Sequence, residues 1–157
     1  MSNLTSDRDT EFVAELERDQ LPVKGGMKIC NGAAVALGAT GCAVSAGPNV
    51  KHLRGIADET VDNTDGNDGD ETINVISPDA AYWDGSGFTQ ADVGAPVYFS
   101  DDHTVTKTAG TNCYAGRVRS VDQYGVLVDL RGAYAQAAIA ATTALTAPHT
   151  AAHTAAH

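Results

Sequence analysis

Residues 93–130 read VGAPVYFSDDHTVTKTAGTNCYAGRVRSVDQYGVLVDL. Short apolar runs alternate with turn-forming pairs, Asp101-Asp102, Ala109-Gly110 and Tyr124-Gly125. Within the run, Arg117-Val118-Arg119-Ser120-Val121 alternates polar and apolar, the period of a strand with one wet face. Strands are therefore predicted at 95–99, 104–108, 114–121 and 126–130. Upstream, similar runs predict strands at 34–37, 42–45, 53–60 and 72–76, each bounded by Gly, Asp, Asn or Pro. Many short strands joined by tight turns predict a mainly β fold, a small β-barrel or β-sandwich. Thr89 to Gly94 predicts one helical turn, capped by Thr89 and ended by Gly94.

A faint internal repeat runs through the β-region. Gly32-Ala33-Ala34-Val35 is echoed by Gly94-Ala95-Pro96-Val97, and Gly55-Ile56-Ala57 by Gly116-Arg117-Val118 at nearly the same offset. Residues 58–71, DETVDNTDGNDGDE, hold seven acids and no base. They fall where the second copy has only a tight turn, so they read as an inserted acidic loop. The organisation is an N-terminal arm at 1–22, a β-domain at 23–131 and an Ala/Thr/His tail at 132–157. In the arm, Thr10 could cap a short helix over 11–19. With only Phe12 and Leu16 as large apolar residues one turn apart, an extended arm that orders against a partner fits equally. Pro22 ends either form.

The 157 residues suit one modest core. Ten basic and twenty acidic residues give a net charge of −10. That sign argues against binding nucleic acid, whose affinity comes largely from Lys and Arg releasing counterions, and against an anionic membrane. No apolar run reaches the length of a membrane span. The start, MSNLTSDRDTEF, lacks the layout of a secretory signal, so a soluble protein made in a cytoplasm is expected. Cys30, Cys42 and Cys113 are widely spaced and read as buried small apolar residues rather than a zinc or redox motif.

Several residue groups invite chemistry. Asp62, Asp65, Asp68, Asp70 and Glu71 supply hard oxygens for calcium. No EF-hand register fits, since Gly66 at position six puts Val61 at one, and Gly69 there puts Gly66 at three. A solvated, Gly-loosened loop is expected instead. His149, His153 and His157 recur every four residues, as an i, i+4 metal pair would on a helix, but the same spacing follows from a repeated His-Thr-Ala-Ala unit in a flexible tail. Cys113 or Ser120 could be combined with His103 and Asp101 or Asp102 as nucleophile, base and acid. No nucleophile-elbow sequence surrounds them, and Asp101-Asp102 reads as a hairpin turn. No enzyme and no cofactor is expected. Tyr82 and Trp83 could stack on a sugar or anchor an interface, with a core or subunit-contact Trp favoured.

The order of several segments closely resembles one family, the head decoration (capsid cement) proteins of tailed bacteriophages and Mu-like prophages. The resemblance is carried by Leu4-Thr5-Ser6-Asp7-Arg8-Asp9-Thr10 and by Leu21-Pro22-Val23-Lys24-Gly25-Gly26-Met27-Lys28-Ile29. It continues through Gly32 to Leu37, the acidic run Val61 to Asp70, Asp101 to Thr108 and Ala115 to Val118, and so spans residues 4 to 130. It implies a structural virion protein on the capsid exterior that stabilises the shell, with the major capsid protein and itself as partners, as trimers rather than dimers. It makes Leu21, Val23, Met27 and Ile29 the expected capsid-contact residues, with Tyr82 and Trp83 as further contacts. Two other classes remain open: a virion carbohydrate-binding module using Tyr82 and Trp83, and a self-assembling filament or tube subunit.

Overall fold

A computed structural model describes residues 3–134. The expected His149, His153 and His157 and nearly all of the tail lie outside the described residues. The strands are β1 (Phe12–Pro22), β2 (Met27–Ile29), β3 (Ala34–Leu37), β4 (Ala43–Ser45), β5 (His52–Ala57), β6 (Val61–Asn63), β7 (Thr72–Trp83), β8 (Pro96–Phe99), β9 (Val105–Thr106), β10 (Cys113–Asp122) and β11 (Gly125–Asp129). The fold is mainly β, one antiparallel sheet curled into a half-barrel with order β4-β3-β5-β7-β11-β10-β8-β9. A small second sheet pairs β2 with β6.

β7 organises the sheet. Its first half pairs with β5 at Val75 and Ile76, its second with β11 from Ala80 to Trp83, and β1 runs along its opposite edge. Pro78 sits between the two ladders, where a residue without an N–H leaves no donor unpaired. The two wings curl around a core of Ile56, Ile76, Ala81, Trp83, Val97, Phe99 and Val128. Trp83 is fully buried and meets Phe99 edge-on at 5.0 Å. After β11 the chain packs back on the main core through Leu130, Ala133 and Tyr134: the Leu130 N–H donates to Asp79 O at 2.9 Å and the Tyr134 hydroxyl to Pro78 O at 3.1 Å. Burial pushes the Tyr134 phenol well up. Isolated bridges Pro48↔Asn112 and Asp84↔Thr104 draw the margins together.

β3 is covered on both faces, which explains its small residues. Ala34 and Ala36 enter the main core, while Ala33 and Val35 join a second cluster with Val23, Ile29, Val61, Ile73 and Val75 beneath the β2–β6 sheet.

The internal repeat is a structural one. The sheet order is a palindrome in which β3, β4, β5 and β7 correspond to β8, β9, β10 and β11. Gly32 N–H bonds Ala57 O and Ala57 N–H bonds Ala33 O; in the second unit Gly94 N–H bonds Val118 O and Val118 N–H bonds Ala95 O. Gly55 and Gly116 both hold positive φ, +155° and +125°, beside a register shift. A Cβ at Gly55 would stand 2.2 Å from Ile76 O, and one at Gly116 1.9 Å from Asp129 O, so both positions exclude side chains.

One open choice is settled and two expectations change. Of the helix and the extended form left open over 11–19, the extended one forms: Phe12 begins an eleven-residue strand, because the edge of β7 offers backbone partners that two apolar residues could not replace. The acidic run 58–71 is not wholly a loop, since Val61–Asn63 pairs with Met27–Ile29. The strand predicted at 72–76 continues past Pro78 to Trp83. The turn at 89–94 matches its reading: Thr89 and Asp92 form a reciprocal cap on Gln90–Asp92.

Candidate functional site: a strap and an open strand edge

Residues 3–10 lie across the core as a strap before entering β1. Leu4 N–H donates to Asp102 Oδ1 at 3.1 Å, and the Cys30 thiol donates to Leu4 O at 3.6 Å. Arg8 pins the middle. Its N–H bonds Asn31 O at 2.8 Å, and its guanidinium reaches Thr10 Oγ1 at 2.7 Å, Tyr82 O at 3.2 Å and Asp84 Oδ1 at 3.2 Å. The same guanidinium lies 5.3 Å from the centre of the Trp83 ring. Thr10 Oγ1 donates onward to Gly32 O at 2.6 Å. A Cβ on Gly32, at φ +91°, would stand 2.0 Å from Arg8 O, so the strap seats only on glycine. Arg8, Thr10 and Gly32 carry this junction, and no motif announces them. The one sequence signal is a lone base amid acids at 7–11.

Beyond the strap, β1 has β7 as its strand neighbour on one edge and none on the other among the described residues. Phe12 is 43% exposed, and Glu17 and Arg18 are exposed, Arg18 paired with Asp58. Asp19 pairs with Arg54 at 2.7 Å.

The sequence-proposed contact residues divide. Val23, Ile29 and Trp83 are buried within the chain's own cores, so they cannot be surface contacts while the fold is intact. Leu21 and Met27 are half-buried against the second cluster. Tyr82 is half-buried, meets the 69% exposed Tyr124 edge-on at 6.1 Å, and donates to Asp122 Oδ2 at 2.7 Å.

The acidic segment is knit by capping bonds. Asn63, 2% exposed, donates through Nδ2 to Val23 O, Lys24 O and Asn67 O at 3.1, 3.3 and 2.9 Å. Asp62 accepts from the Thr64 hydroxyl and from Thr64 N–H, and these bonds hold its carboxyl below the usual range. Asp68 accepts from Gly25 N–H and Asp70 from Asn67 N–H. Asp62, Asp65, Asp68 and Asp70 do not converge as cation ligands. Among the described residues, the metal-type groups that converge within 4.8 Å are Asp101, Asp102 and His103. There His103 Nδ1 lies 2.9 Å from Asp102 Oδ1 and 3.2 Å from Asp101 Oδ1, and His103 N–H bonds Asp101. Burial pushes the Asp102 carboxyl up. The trio closes the β8–β9 hairpin and anchors the strap. Cys113, which sequence could pair with His103, is buried with its thiol pushed up to about 12, and Ser120 stands seven residues further along β10. At neutral pH that thiol holds no thiolate for nucleophilic attack.

No protein-family model matches the chain, and neither the curated proteins nor the solved structures yield a match. Fold and site define a duplicated β half-barrel, strapped by its first residues and open along one strand edge.

Proposed function

We propose that this chain is a structural virion protein that binds the outside of a tailed-phage capsid and stabilises the shell, with no catalytic role. The observation that carries the reading is the ordered resemblance of residues 4 to 130 to head decoration proteins. The architecture is compatible with it. A tightly bonded β-core supplies rigidity, and the strap and β1 lay an extended segment along its outside, where it can bridge to a lattice. The net charge of −10 keeps free copies apart in solution. The partners are the major capsid protein and further copies of the chain, trimers at three-fold positions being favoured over dimers.

The carbohydrate-module reading keeps a smaller basis, because Trp83 is sealed in the core and only the Tyr82–Tyr124 pair remains near the surface. The test is co-sedimentation with expanded shells built from the capsid protein of the same genome. Saturable binding at a fixed ratio to capsid subunits, with shells surviving higher temperature, is expected. Failure to bind at tens of micromolar protein overturns the reading, and retention on glycan arrays lost in Tyr124→Ala would put the module in its place.

A further inference from the structure

We infer that the β2–β6 sheet is a terminal cap. It fills, on the first unit (β3, β4, β5 and the start of β7), the face that on the second unit (β8 to β11) receives the first. It thereby stops a further copy of the chain from stacking there. The inference follows from the duplication and holds whether or not the chain binds a capsid. The units are matched through Gly55 and Gly116. Val35↔Gly55 and Ala36↔Leu53 in one answer to Val97↔Gly116 and Tyr98↔Tyr114 in the other. The next pairs agree, Ile56↔Ile76 and Ala57↔Val75 answering to Arg117↔Asp129 and Val118↔Val128.

Matched positions do not share a core. Val97, Val118 and Val128 line the main core, whereas their counterparts Val35, Ala57 and Val75 belong to the second cluster. From the opposite face of the first unit, Ala36, Leu53 and Ile56 also enter the main core. The inner face of the second unit is thus filled by the back of the first. The first unit's own inner face carries Val35, Ala57 and Val75. In an array of such units a further copy would cover it, through a head-to-tail contact that repeats without closing.

β2 and β6 take that place instead, laying Ile29 and Val61 on the face. Neither strand has a counterpart among the described residues. Where β2 lies the second unit has the turn Gln90–Asp92, and where β6 lies it has the turn at Tyr124. The outer side of the small sheet is charged, with exposed Lys28 opposite exposed Asp62. Asn63 fastens it through the bonds to Val23 O and Lys24 O, and Gly26 N–H bonds Asn63 O at 2.9 Å. An apolar inner side and a polar outer side are what the last element of a repeat array needs. The far end of the pair is closed differently. There Tyr98, Tyr114 and exposed Arg117 stand where the first unit has Ala36, Leu53 and Ile56, and Arg117 donates to Gly94 O at 2.9 Å. Copies of the chain associate through surfaces outside this stack.

The experiment is sedimentation velocity of the full chain and its variants over about a hundredfold range of concentration. Tyr98→Ala, Tyr114→Leu and Arg117→Ile together give the far end the side chains of the first unit's back. Asn63→Ala loosens the cap. The far-end variant alone should keep the parent's closed size, because the cap still covers the face it would fill. Far-end and Asn63→Ala changes combined should give assemblies whose size keeps rising with concentration, with Trp83 emission as in the parent. Open-ended growth of the parent or of the far-end variant would show that an intact cap does not stop stacking, and would overturn the inference. A combined variant with parent-like Trp83 emission that stays at the parent's size would overturn it too. If Asn63→Ala does not fold, the parent and the far-end variant still decide: growth refutes the cap, and an unchanged closed size supports it.

Discussion

At the junction of strap and core, Gly32 and Arg8 depend on each other through a gap too small for a methyl group. Gly32→Ala should expel the strap, because a Cβ 2.0 Å from Arg8 O cannot be absorbed by a side-chain movement. A loss of about 2–4 kcal/mol in urea unfolding is expected, together with a change in Trp83 fluorescence as the guanidinium leaves the ring. Asp102 makes a pH prediction of definite sign. Burial raises its folded pKa above the unfolded value, so its contribution is most favourable at low pH and is lost as pH rises through the folded value. Asp102→Asn keeps an acceptor for Leu4 N–H without the buried charge. Melting curves from pH 4 to 8 should show the variant gaining on the parent as pH rises. A constant difference across that range would contradict the assignment. Cys113, raised to about 12 by burial, should resist iodoacetamide at pH 8 until the chain is unfolded.

At the scale of elements, strands with clear alternation or turn boundaries were legible in the sequence, and strands defined by their neighbours were not. β3, β8, β10 and β11 fall where the apolar runs and turns put them. β1 was not legible as a strand, because its residues ELERD carry no period-2 pattern; its partner is the backbone of β7, not an apolar face. β6 hid inside an acidic run because its outward Asp62 is solvated while Val61 and Asn63 turn inward. Pro78 seemed to end a strand that in fact continues, since the ladder divides there. The repeated Gly-Ala strings did foretell the duplication, and its test is paired. Gly55→Ala and Gly116→Ala should destabilise by similar large amounts, about 3 kcal/mol or more each, because both drive a Cβ into a neighbouring carbonyl at positive φ. Urea titrations in which one is tolerated and the other is not would show that the two units are not equivalent in structure.

For the whole molecule, sequence conveyed the class of fold but misjudged which residues meet the outside. Val23 and Ile29 looked like contact residues because large apolar side chains serve cores and interfaces alike, and only burial separates the two; Trp83, read as a core or subunit-contact residue, lies in the core. The outer edge of β1 is made of backbone and charge, a feature with no side-chain motif to read. The measurement that bears most directly on the capsid-docking account is a cryo-electron reconstruction of expanded shells incubated with the full chain. The account predicts ordered density on the shell exterior at one class of symmetry site. Undecorated shells at saturating protein would contradict the account.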